Sequence, residues 1–161
     1  MPVTTDIVAT YKGPRRVVAR ILAMGPREDR ALAILMGGCA LAFTAQMPRL
    51  AREAHFTGQD LNMLLGGALF GLIFIAPLIL YTLSWVTYLV ARVLGGKGGS
   101  YGARLALFWA FLAASPLMLL NGLTAGFIGP SPALSLVGGL WFALFCWFWV
   151  SGLIQAYWIA K

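Results

Sequence analysis

The chain has 161 residues, of which 60% are hydrophobic and only 11% charged, with a net charge of +7. A soluble domain carries roughly 25% charged residues to cover its surface, so a single water-soluble core is excluded and the bilayer must be the main solvent. The positive excess leaves three partners to weigh for the basic stretches: nucleic acid, an acidic protein, or an anionic membrane surface.

Residues 1–25 read as a polar segment on the cytoplasmic side, ahead of an all-α transmembrane bundle over 26–161. Proline is favoured at the first helical position and glycine just past a helix end, so Pro14 opens a short helix, Gly25 closes it and Pro26 opens the next. Glu28 and Asp29 then fall in a first turn, where the helix dipole favours acids. Within "GPRRVVARIL", Val17, Val18, Ile21 and Leu22 share one face, with Arg15, Arg16 and Arg20 on or beside the other. That is a basic amphipathic helix of about three turns. It most simply lies in the interface, with its apolar face toward the acyl chains and each arginine near an anionic headgroup worth about 1 kcal/mol. The alternative is that this face docks a protein partner or packs beneath the bundle. Nucleic acid is not expected as a partner, because a few arginines without aromatic stacking groups are not its signature.

Four uncharged runs follow, at 31–47, 61–91, 105–131 and 132–160, the last two divided by the turn signal Gly129-Pro130-Ser131-Pro132. Crossing about 30 Å of hydrocarbon takes about 20 apolar residues, so each run supplies one span. A break at Pro77 in the long second run would give five. The basic N-terminal region also contains Asp6, Glu28 and Asp29, unlike the positive start of a signal peptide, so the first span reads as a retained anchor. Lys and Arg are concentrated in the N-terminal region, in the second loop (Arg92, Lys97, Arg104) and at Lys161, against Arg49 and Arg52 alone in the first loop. By the positive-inside rule both termini are cytoplasmic.

The predicted spans contain no acid, base or histidine, which disfavours proton relays, coupled ion transport and a buried metal site; His55 lies beside Glu53 in the first loop. Cys39 and Cys146 show no metal or redox spacing, and no cofactor is expected. Thr82, Ser84, Thr87, Ser115, Asn121, Ser151 and Gln155 are mild polar groups suited to bonding between helices or to their own backbone. Gly67-Ala68-Leu69-Phe70-Gly71 matches GxxxG, while Gly139 with Ala143 and Gly38 with Ala42 repeat the small-xxx-small spacing. Such steps let helices approach closely, within the chain or with another subunit. Pro77 and Pro116 predict kinks, and Ser115 and Asn121 are placed to re-satisfy the freed carbonyls. The last run is crowded with aromatics: Tyr157 and Trp158 suit an interfacial belt, whereas Trp141, Phe145, Phe148 and Trp149 form a surface for lipid, a pigment, a quinone or a neighbouring subunit.

The order of "GPRRVVARIL", "MGPRED" and a compact bundle with short loops resembles bacterial members of the Yip domain family of multi-pass membrane proteins, most closely over residues 5–45. Eukaryotic relatives in that family interact with Rab-type GTPases, and their acidic-Leu-Tyr-Gly-Pro signature has no counterpart here. The resemblance implies a non-enzymatic membrane protein of the bacterial cytoplasmic (inner) membrane. The residues by themselves point the same way. No nucleophile–base pair, carboxylate pair or metal cluster appears, and "GGKGGS" lacks the context of a phosphate loop. An interaction, assembly or accessory subunit that contacts other integral membrane subunits is expected, with a channel or transport component as the alternative.

Overall fold

The computed structural model describes residues 3–24, 28–96, 99–129 and 131–159. Gly25, Pro26, Lys97, Pro130 and Lys161, on which parts of the sequence reading rest, lie outside the described residues. Among the described residues the chain is helical throughout, with no strand.

Two short helices come first, α1 (Val3–Lys12) and α2 (Pro14–Ala23). The Gly13 amide still donates to the Ala9 carbonyl at 2.9 Å, and Pro14, which has no N–H to continue the ladder, opens the next helix. Helix α3 (Glu28–Thr57) continues past the expected end at 47 and carries Pro48 inside it. Next come α4 (Leu61–Phe70), a widened π-helical turn (Gly71–Ile75) and α5 (Ala76–Val93), which together make one helix of 33 residues.

The π turn explains why Pro77 does not divide this run. Proline removes a bond to the carbonyl four residues back, and immediately ahead of it the Ala76 amide reaches five residues back to Gly71. The widened turn absorbs the missing bond. Pro116 acts differently: α6 (Ser100–Ala113) and α7 (Ser115–Phe127) meet at Ala114 with a 45° bend, and Pro116 sits in the first turn of α7. Helix α8 (Pro132–Ile154) is capped by the Ser131 hydroxyl, which accepts from the Leu134 amide at 3.2 Å, and ends in a second π turn (Gln155–Ile159).

Three helices are long and apolar enough to cross a membrane: α3, the α4–α5 run and Pro132–Trp158; α6 with α7 makes a fourth if the bent pair counts as one span. The protein is therefore a helical membrane protein.

Helix α6 is the centre of the bundle, with Leu105, Leu107, Phe108, Ala110 and Ala113 fully enclosed. It runs antiparallel to α8: a methyl group placed on Gly102 would meet the Ala156 side chain, and one on Gly152 would meet that of Ala106, each at 3.0 Å. Helices α3 and α7 pack as closely. The methyl that Gly122 lacks would stand 2.7 Å from the Ala45 carbonyl carbon, and that of Gly126 2.6 Å from the Pro48 carbonyl carbon. Arg52 seals this end by donating to the Gly126 carbonyl at 3.4 Å and the Phe127 carbonyl at 3.5 Å.

The N-terminal helices share this same core. Val17, Val18 and Ile21 are buried among residues of α3, α6 and α8, and the α1–α2 hairpin closes one side of α6. The Trp109 indole donates to the Thr10 hydroxyl at 3.0 Å, which donates in turn to the Asp6 carbonyl at 2.7 Å. The Asp6 carboxylate takes an ion pair from Arg20, so one polar chain links α6, α1 and α2.

Candidate interaction surfaces

The predicted amphipathic helix exists, but its apolar face does not meet lipid. Val17, Val18 and Ile21 are 3%, 1% and 5% exposed, and Val18 lies over Gly152 of α8, where the missing side chain makes room for its Cγ2. Leu22 packs partly buried beside Ala91, Ala103 and Tyr157. Of the expected membrane-facing cations, Arg20 is held by Asp6, while Arg15 and Arg16 are exposed at the start of α2. The sequence reading preferred the interface for this face; the bundle takes it instead, because only a protein surface with glycine steps can offer branched side chains close packing on every side.

The glycine steps also sort in a way the motif alone does not show. Gly38 and Ala42 of α3 do pack inside: a methyl on Gly38 would strike the Phe111 ring at 2.6 Å, and Ala42 is buried. Gly67, Gly71 and Gly139 have nothing within reach of a methyl group, and Ala143 is exposed. The GxxxG step used internally is Gly122-Leu123-Thr124-Ala125-Gly126, which sequence reasoning passed over although its spacing equals that of Gly67 and Gly71. Nothing local separates the two.

On α8 the aromatic residues divide by face. Phe148 is buried and meets the Tyr11 ring edge-on at 5.0 Å. Trp141, Phe145 and Trp149 form a continuous ridge four residues apart, with ring centroids at 5.6 and 5.8 Å, and both indole nitrogens are enclosed with no partner among the described residues. Beside this ridge a recess of about 360 Å³ opens among α3, α5, α7 and α8, apolar except for Gln46, Asn121 and the Trp141 edge. No ionisable side chain lines it, so it is suited to an apolar or weakly polar occupant.

The mild polar residues act mostly within their own helices. Thr82, Ser84 and Thr87 each donate back to a carbonyl one turn earlier. Ser115 and Asn121 do not serve the break at Pro116; the Tyr11 hydroxyl does, donating to the Ala113 carbonyl at 2.8 Å. Burial pushes the Tyr11 phenol above its ordinary pKa, which already lies well above neutral, so the hydroxyl is a donor across the neutral range. Tyr157 pins the other end of α6 by accepting from the Ala103 amide at 2.9 Å and donating to the Gly99 carbonyl at 2.7 Å. Among the described residues no group of His, Cys, Asp and Glu is arranged to hold a metal ion, and His55 is exposed beside Phe56. Comparison with family models, with curated proteins and with solved structures finds no match for this chain.

Proposed function

We propose that the protein is a non-enzymatic accessory or assembly subunit that docks other integral membrane proteins through the α4–α5 run and α8. One observation carries this reading: the chain uses one GxxxG step, at Gly122 and Gly126, to seat a helix, and leaves the equivalent step at Gly67 and Gly71 open. Exposed leucines are ordinary in lipid, but glycines there forfeit side-chain contact and gain nothing unless a backbone comes close. No residue in the most apolar stretch of the 61–93 helix is fully buried by the chain, and the outer face of that helix, with Phe70, Phe74, Leu78 and Trp85 exposed, is open to a neighbour. The resemblance to Yip domain proteins supports the same class.

In this reading the bent α6–α7 pair crosses once, giving four spans with both termini on the cytoplasmic side of a bacterial inner membrane. Arg52 of α3 reaching the end of α7 supports that crossing, since it brings both helix ends to the same side. Purification of the intact chain in mild detergent, with identification of co-purifying chains, tests the proposal. A defined membrane partner is expected, and Gly67→Leu with Gly71→Leu should release it while the bundle stays folded. A monodisperse monomer without any stable partner would overturn the reading.

A second reading rests on the recess at Asn121 and Trp141: a component of a path for a small solute. Reconstituted chain showing solute flux that Asn121→Leu abolishes would favour it over the first.

A further inference from the structure

We propose that the turn between α1 and α2 is a binding site for a phosphate group, delivered in the membrane by the headgroup of an anionic phospholipid. The inference is independent of the accessory-subunit reading, since it concerns the hairpin and not the outer helices.

The site begins with the start of α2. Gly13 caps the helix without a side chain, and Pro14 occupies the first turn. The amides of Arg15 and Arg16 consequently point out of the helix with no intrahelical acceptor, at the positive end of its dipole. Lys12, Arg15 and Arg16 surround this end, all exposed, and none has an ion-pair partner among the described residues. Arg16 folds back over the turn: its Cδ and Nε lie 3.5 and 3.9 Å from where a Gly13 side chain would start. A Cβ at that position would stand in ordinary van der Waals contact with the Arg16 side chain, which lies along the turn. Backbone donors and a guanidinium fork are thus brought to one place, the pairing that suits tetrahedral oxyanions.

A second element supplies a separate observation. Ser151 of α8 is 6% exposed and opens onto a recess of about 330 Å³ that it lines with Gly13, Pro14, Arg15, Arg16 and Trp147. Elsewhere in the outer helices Thr82, Ser84, Thr87 and Thr124 all spend their hydroxyl on a carbonyl of the preceding turn. Ser151 makes no such bond, and its hydroxyl has no partner among the described residues. That hydroxyl is thus left available to a group that enters the recess.

Depth argues for a lipid as the source. The residues of α8 from 132 to 150 cover about 28 Å at 1.5 Å per residue, close to the thickness of the hydrocarbon layer. Ser151 then stands toward the end of that layer, one turn past the exposed Trp147 indole that lines the same recess. A phosphate approaching there brings its own acyl chains along the face of α8.

The test uses the full chain in nanodiscs of phosphatidylcholine alone and of phosphatidylcholine with phosphatidic acid, with retained lipid read by native mass spectrometry. A retained phosphatidic acid is expected, weakened about tenfold for each arginine removed in Arg15→Gln and Arg16→Gln, and about threefold in Ser151→Ala. Arg16→Lys should fall between, keeping the charge but losing the fork, and Arg49→Gln at the far end should change nothing. If inorganic phosphate binds the detergent-solubilised chain with the same dependence on Arg16 and Ser151, and no lipid is preferred, the site stands and its source is free phosphate. Should Arg15→Gln with Arg16→Gln fail to fold, Ser151→Ala and Arg16→Lys still decide the matter. Equal retention of phosphatidic acid and phosphatidylcholine by the wild-type chain, with no phosphate binding in detergent, would overturn the site. So would variants that bind phosphatidic acid as the wild type does. Partner co-purification is expected to survive in these variants, so failure here leaves the accessory-subunit reading untouched.

Discussion

At the scale of single residues, the contacts of this bundle turn on side chains that are absent. Gly122 and Gly126 allow the α7 backbone to lie against Ala45 and Pro48 of α3, whereas Gly67 has open space around it. The two positions should therefore answer the same substitution with opposite sign. Gly122→Ala forces a methyl into the Ala45 carbonyl and should cost about 1–3 kcal/mol. Gly67→Ala should be neutral or stabilising by up to about 1 kcal/mol, since alanine is the better helix former. Thermal unfolding of both variants in one detergent measures the difference. Tyr11 offers a third test. Its hydroxyl satisfies the Ala113 carbonyl at the break in the α6–α7 pair, so Tyr11→Phe should lower stability by about 1 kcal/mol without loss of the ring contact to Phe148. A variant as stable as the wild type would show that the carbonyl finds another donor.

At the scale of elements, the fate of α2 was the least legible. Its periodicity gave the helix, its first residue and its apolar face correctly, and none of these says what covers the face. In water an apolar face must be covered; beside a bilayer, lipid and protein are equally apolar, and the choice falls to shape. The glycines at 102 and 152 and the bend at Ala114 provide the shape, and all three belong to other helices. Val18→Asp should detach the hairpin, because a carboxylate over Gly152 would be buried without a partner at a cost of several kcal/mol. Faster tryptic cleavage after Lys12, Arg15 and Arg16 would report the detachment, and unchanged cleavage would count against the packing described here. The prolines were better signposted. At Pro116 the expected kink is a 45° bend between α6 and α7, whereas the kink expected at Pro77 is absorbed by a π turn whose formation depends on a regular helix on either side.

For the whole molecule the sidedness of charge makes a testable statement. Arg49, Arg52 and Asp60 gather at one end of the bundle, and Asp6, Arg20, Glu28, Arg92 and Arg104 at the other. With Cys39 and Cys146 replaced by alanine, cysteines introduced at Lys12 and Gly95 should be labelled from one face of the membrane and those at Gln59 and Ser131 from the opposite face. Labelling of Ser131 together with Lys12 would mean that α6 and α7 form a re-entrant pair and that the crossing count is three. The sequence by itself determined what composition and local pattern control: a helical membrane protein, the approximate apolar runs, the helix starts at prolines and the absence of charge within the spans. Only the tertiary structure decided which GxxxG step is occupied, that Phe148 is buried while Trp147 is exposed, and that Val17, Val18 and Ile21 belong to the core. The physical reason is common to all three. In a hydrocarbon solvent hydrophobicity no longer distinguishes inside from outside, so the distinction passes to packing between segments far apart in the chain, which no local pattern records.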